Sequence, residues 1–367
     1  MKCFFKGILL LFISVVIIGT IPLQGQKYVN EFLNIGVGAR AQGMSGSMVA
    51  NTADGTSAYW NPAGLAGVQS PFQINAMHAQ WFGGIANYDF VSLTKKFNDV
   101  KNGVGSISFI RFGIDNIPNT LNLVAEDGSV DYNRVTFFSD ASYAGLISYA
   151  QTIGSSGKFS LGGNLKIIHR STGKFAKSWG FGTDLGLRYQ GNHWIYGVNI
   201  RDITTTYNSW TFNFTDDEKL VLALNDNEIP VQSSEITLPR ILSGAAYKNN
   251  YKKIGYLIEG NLVFSTDGRK SALISGKNFA IEPSLGIELD YVKRVFLRFG
   301  VNNIQKVKSI TDPENTDIEL LPTVGLGLKL GRLHVDYALS NIGSVSGVLV
   351  SHIFSARLDF YPKPKQP

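Results

Sequence analysis

Residues 284–302 read SLGIELDYVKRVFLRFGVN. Read alternately, Leu285, Ile287, Leu289 and Tyr291 form one set, and Ser284, Gly286, Glu288 and Asp290 form the other. Beyond Val292, the set Val295, Leu297, Phe299 and Val301 opposes Phe296, Arg298, Gly300 and Asn302. Side chains of a strand point to alternate faces, so each half is a strand with one apolar and one polar side. FGTDLGLRY (181–189) and RLHVDYAL (332–339) repeat the pattern.

A soluble sandwich alternates too. Here the alternating segments run for about 10 to 14 residues, beyond the roughly 5 or 6 of soluble strands and enough for a tilted membrane-spanning strand. Their polar face carries glycine and full charges, as a closed barrel with a wet or plugged interior permits. Fourteen strands are expected near 70–81, 87–97, 102–113, 139–152, 156–170, 179–190, 193–203, 235–248, 251–264, 277–290, 293–302, 318–330, 332–340 and 349–360. Connections after even strands are tight, whereas 114–138, 204–234, 265–276 and 303–317 are long. Short turns at one end and long loops at the other define an outer-membrane barrel with its short side periplasmic. The fold class is therefore an all-β transmembrane antiparallel barrel over 70–360. Tyr149, Tyr189, Trp194, Tyr247, Tyr251 and Tyr291 lie beside the short turns, as an interfacial girdle would. The last strand ends at Phe360, and the Pro-rich stretch 361–367 is read as a periplasmic tail.

The rest of the composition is consistent with that reading. Lys2 and Lys6 precede an apolar run from Ile8 to Ile18, the layout of a secretory signal peptide over 1–25, and the run is too short to span a bilayer as a helix. Cys3 is the only cysteine and falls in that leader, so a processed chain has no disulfide, thiol nucleophile or thiolate site. The net charge of +6 comes from scattered residues, which disfavours nucleic-acid binding. His78, His169, His193, His334 and His352 show no metal-ligand spacing. No serine sits in a nucleophile motif, so no catalytic group, metal or cofactor is expected.

Residues 26–69 show no long alternation and few charges. The segment is too apolar for a solvated tail and too long for an idle connection, so it is expected to fold into the lumen as a hatch. Its candidate residues are Gly38, Arg40, Gly43, Tyr59, Trp60, Asn61, Pro62 and Gly64, with Tyr59 and Trp60 as wall anchors and Asn61-Pro62 as a turn. The run FLNIGVGARAQGMSGSMVANTADGTSAYWNPAGLA resembles the N-terminal region of the PorV/PorQ family, a branch of the FadL-like outer-membrane barrels. The resemblance implies fourteen strands with an N-terminal hatch. It also implies two functions in a Gram-negative outer membrane of the Bacteroidetes type. One is an accessory of type IX secretion that binds the translocon or cargo with a C-terminal sorting domain. The other is a FadL-like transporter of hydrophobic small molecules.

Inward positions hold Lys166, Asp184, Arg188, Arg201, Glu288, Asp290, Arg298, Lys329, Asp336, Arg357 and Asp359. Their mixed signs predict cross-strand pairing rather than ion selection, with Glu288–Arg298 and Asp336–Arg357 as pairs and Arg40 meeting an acidic partner. In the long stretch 204–234, Tyr207, Trp210, Phe212 and Phe214 are read either as an exposed partner-contact loop or, equally, as a loop folded over the barrel mouth or a strand extended beyond the membrane.

Overall fold

The computed structural model describes residues 29–97, 103–124, 128–224, 232–266, 272, 274–276, 279–308, 316–340, 342 and 350–361. The leader at 1–25 and most of the tail at 361–367 lie outside the described residues.

Seventeen strands form one sheet. They are β1 (Phe72–Trp81), β2 (Ala86–Lys96), β3 (Val104–Asn119), β4 (Thr136–Ile153), β5 (Phe159–Thr172), β6 (Ala176–Gln190), β7 (Trp194–Arg201), β8 (Thr206–Phe212) and β9 (Gln232–Thr237). β10 (Arg240–Tyr251), β11 (Ile254–Ser265), β12 (Ile274–Ser275), β13 (Ala280–Tyr291), β14 (Val295–Lys308), β15 (Thr316–Leu330), β16 (Leu333–Ser340) and β17 (Ser351–Phe360) follow. β6 pairs first with β7, Leu185 facing Ile200, and then with β8, Phe181 facing Tyr207, so β8 continues β7 past a bulge. β9 leads into β10 in the same way, and β12 is a two-residue strand beside β13. The wall is thus a fourteen-strand antiparallel barrel, closed where β1 pairs with β17 from Phe72–Phe360 to Gln80–His352. Closure leaves no unpaired edge, which hydrocarbon requires.

The burial pattern is inside out. Leu285 and Leu289 of β13 are 44% and 39% exposed on the outer face, while Gly286 and Glu288 between them are buried. On β6 the outward residues from Tyr189 to Trp179 are almost all apolar. That run is about 33 Å along the strand, or about 25 Å along the axis at the usual ~40° tilt, the height of a hydrocarbon band. Tyr189, Trp194, Tyr196 and Tyr247 cluster at the short-turn end, with Trp194 and Tyr247 ring centres 5.1 Å apart. The turn at 331–332 is closed by Gly331 at φ +62°, a conformation that costs a side-chain-bearing residue strain.

The partner-contact loop needs correcting, and the alternative of an extended strand takes its place. Residues 206–212 are wall strand, not loop, and only Phe214 of the four aromatics lies outside a strand. Tyr207 is 55% exposed on the outer side, while Trp210 is buried on the inner side. The polarity of the strand reverses beyond Asn208: Trp210 and Phe212 are on the inner face, and Ser209 and Thr211 on the outer. A barrel strand that rises beyond the lipid has no reason to turn its large apolar groups outward.

Candidate functional site: the N-terminal segment and the barrel mouth

Residues 29–70 touch wall strands from every arc of the ring. Arg40 donates from Nε and Nη2 to the Glu288 carboxylate of β13, each at 2.8 Å. Ala50 and Asn51 donate their backbone N–H groups to Glu259 of β11, at 2.7 and 3.0 Å. Arg188 of β6 donates from Nε to the Ala50 carbonyl at 2.7 Å. Gly55 N–H reaches Gln73 of β1, and Ser45 meets Thr323 of β15. Glycines on the wall make room for this. A Cβ on Gly162 would collide with Pro62 and Ala63, one on Gly197 with Val49, and one on Gly300 with Met44. The glycines that alternate with leucines in the sequence are therefore seats for backbone.

The Tyr59-Trp60-Asn61-Pro62 stretch is held from both sides. Tyr59 donates its hydroxyl to the Leu33 carbonyl, and Trp60 donates Nε1–H to the Val37 carbonyl at 2.9 Å. Arg201 of β7 lies 4.3 Å over the Tyr59 ring and donates to the Tyr59 carbonyl at 3.0 Å. Asn61 donates to the carbonyls of Val49 and Leu187, and its Oδ1 accepts from Ala63 N–H at 3.1 Å, capping the 3-10 helix Pro62–Gly67. Pro62 opens that helix, where no N–H is needed. Gly38 sits at φ +89° and donates to Met77 Sδ, Gly43 packs on Gly325, and Gly64 packs on Thr52. All eight residues singled out in the sequence thus belong to one packed unit.

Near the short turns, Arg298 is the hub of a charged network. It is 2% exposed and donates to Glu288 at 2.6 Å and to Asp336 at 2.7 Å. The expected Asp336–Arg357 pair is not formed. The register sets Asp336 opposite Ser355 and Arg357 opposite His334, and Arg357 turns to Asp54 at 3.3 Å and Asp359 at 3.4 Å. This network lines a cavity of about 210 Å³ with Arg40, Asp54, Glu288, Arg298, Asp336 and Arg357 on its walls. Midway along β5 to β7, Lys166 lies between Asp184 (2.7 Å) and Asp202, beside the bulge that joins β7 to β8.

The long-loop end is different. A cavity of about 590 Å³ is lined by Leu121, Phe138, Phe175, Trp210, Phe212 and Phe214, with Glu235 and Ser233 at one side. Phe175 meets Phe138 edge to face at 5.4 Å and stacks with Phe214 at 5.7 Å. The sequence reading missed Phe138, Phe175 and Leu121. Their signal was that Phe138, Ala176, Trp210 and Phe212 occupy the inward phase where their strands meet the long loops, whereas lower down on β6 that phase is polar or glycine. Beside this mouth, the helix Asp216–Leu224 is tied down by Lys174 Nζ, which reaches Glu218 at 2.7 Å. Burial pushes the Glu218 carboxyl up, but the bonds from Lys174 and Thr215 outweigh it and hold it below the usual carboxylate range. Among the described residues, no cluster of three His, Cys, Asp or Glu gathers as a metal site.

No protein-family model matches the chain, and no curated protein sequence matches it. Solved structures do match. CymD, a monoaromatic hydrocarbon channel, aligns with a TM-score of 0.56 at 14% identity over 89% of this chain and 98% of its own. The toluene transporter TodX of Pseudomonas putida aligns with a TM-score of 0.54 at 13% identity, over 89% and 98% of the two chains. A FadL homologue of Pseudomonas aeruginosa gives 0.52 at 11% identity, again over 89% and 98%. The fold is that of the FadL-like outer-membrane barrels.

Proposed function

We propose that this protein is an outer-membrane barrel that admits apolar small molecules through the aromatic cavity at its long-loop mouth, with residues 29–70 as the hatch of its lumen. On this reading the leader at 1–25 exports the chain and the outer face meets lipid. The observation that carries it is the 590 Å³ mouth cavity, walled by five aromatic rings. Ligand sites are of this size and are mostly apolar, with a few polar groups. The solved barrels of the same fold are named as channels or transporters for toluene and other monoaromatic hydrocarbons, which agrees.

This reverses the order of the two readings that the sequence supplied. An accessory of type IX secretion rests on the resemblance of residues 31–66 to the PorV/PorQ family, and it gives the mouth cavity no task. The test is the rate of toluene transfer across vesicles that hold the purified barrel. Wild type is expected to raise it several-fold over Trp210→Ala. Equal rates in wild type, variant and empty vesicles would sink the transporter. Stoichiometric recovery of a translocon subunit with the barrel from its own membrane would then make the adaptor the working reading.

A further inference from the structure

The floor of the mouth cavity holds an unusual concentration of buried polar atoms that make no hydrogen bond. Arg170, Ser178 and Trp210 are directly opposed across β5, β6 and β8, and Asn208 is opposed to Glu235 across β8 and β9. These residues share the inward face of four adjacent strands. Arg170 Nε, Ser178 Oγ, Trp210 Nε1, Glu235 Oε2 and both amide atoms of Asn208 are buried and make no hydrogen bond. Ser178 and Asn208 are 1% and 0% exposed. The Arg170 guanidinium ties the group together, lying 4.8 Å over the Trp210 ring with Nη1 3.5 Å from Glu235 Oε2. Trp210 and Glu235 also line the cavity itself, so the collar and the aromatic wall are one site.

Folded proteins rarely leave buried donors and acceptors unpaired, because each lost bond to water must be replaced. The collar offers donors at Trp210 Nε1, Arg170 Nε and Asn208 Nδ2, and acceptors at Glu235 Oε2 and Asn208 Oδ1, with Ser178 able to do either. A pure hydrocarbon would leave all of these unmet. A carboxylate would bring a second negative charge to Glu235. A hydroxyl both donates and accepts.

We propose that the mouth selects apolar molecules that carry a hydroxyl, phenols and related alcohols. The ring lies among Phe138, Phe175, Phe212 and Phe214, and the hydroxyl accepts from Trp210 Nε1 and donates to Glu235 Oε2. Arg170, parked over the indole, moves aside to uncover that edge. This refines the transporter reading and rests on it.

The test is calorimetric titration of the full-length barrel, held in an amphipathic polymer, with p-cresol, toluene and p-toluate. These three ligands differ only at the polar position. Wild type is expected to bind p-cresol at least tenfold more tightly than toluene, and p-toluate no more tightly than toluene. In Glu235→Gln and Trp210→Phe, each first shown to run as a heat-modifiable folded barrel, the cresol-to-toluene ratio is expected to fall below threefold. Equal binding of p-cresol and toluene by wild type would overturn the hydroxyl selection and leave apolar capture standing. Tightest binding of p-toluate would overturn it too, in favour of an anion site. Binding of none of the three would overturn both the selection and the transporter reading beneath it. A ratio unchanged in both variants would show that the preference arises elsewhere and reject the collar.

Discussion

The two ends of the lumen are built from opposite chemistry. The cavity near the short turns holds about 210 Å³ among three arginines and three carboxylates, and its charges are paired. The cavity at the long-loop mouth holds about 590 Å³ among aromatic rings, and six buried polar atoms beneath it make no hydrogen bond. One end is closed by bonds that the protein makes with itself, and the other keeps bonds in reserve. On the proposed function, an apolar solute is captured first at the mouth, meets the charged floor below, and passes only when that seal is loosened.

The strongest way to break the contrast is to remove the hub of the seal. Arg298→Met leaves Glu288 with Arg40 alone and Asp336 without its arginine, inside a low-dielectric lumen. Losing one member of a buried ionic network costs about 3–5 kcal/mol. A marked fall in the urea midpoint for unfolding, read by tryptophan fluorescence in vesicles, is expected. An unchanged midpoint would show that the network contributes little and that close packing alone closes the inner end.

Somewhat smaller is the effect of a charge on the outer face. Leu285 is 44% exposed on β13, three outward positions from Tyr291 and the short-turn interface. Leu285→Lys is expected to cost about 2–4 kcal/mol if that face meets the hydrocarbon midplane. The same measurement reads it, and a cost near zero would place this arc outside lipid. Next comes Arg40→Ala, which removes the segment's ionic bond to β13 while Arg298 still holds Glu288. The loss of charge-assisted bonds is about 1.5–3 kcal/mol. Because the change falls on the segment rather than the wall, the expected readout is conductance. In planar bilayers the variant should open more often than wild type, and equal conductance would count against residues 29–70 as a hatch.

Much of this architecture is legible in the sequence, because a membrane barrel imposes one rule on every strand inside the lipid. Leu285, Ile287, Leu289 and Tyr291 face out and Glu288 faces in, so the period of two gives the strands, their number and the polar lining. The rule ends at the lipid boundary, and so did the reading. In TYNSWTF the inner face carries Trp210 and Phe212, and the stretch looked like a loop because its polarity no longer matched. Asp336 went to Arg298 instead of Arg357 because a pattern along one strand does not fix the stagger between two. Glu259 and Arg188, which grip the Ala50 peptide, are inward-facing charges whose partner is backbone, and a search for opposite charges passes over such a pair. The mouth was missed for the same reason: Phe138 and Phe175 mean little until β4 and β6 bring them together.

The smallest effect concerns the helix at the mouth, and its sign follows from Glu218. The folded-state carboxyl is held below its ordinary value by Lys174 and Thr215, so the bond contributes stability above the unfolded value near 4.3 and loses it as pH falls through the lower folded value. Lys174 is largely exposed, which screens the pair and limits it to less than about 1 kcal/mol. A nitroxide on Leu224→Cys, in a chain with Cys3→Ser, reads the helix directly, since Cys3 is the only native cysteine. The label is expected to be slow at pH 7 and to quicken below about pH 4, and Glu218→Gln should be quick across the whole range. If acid leaves the label slow, the Lys174–Glu218 bond is not what holds this helix beside Phe175, and the aromatic mouth keeps its shape without that clasp.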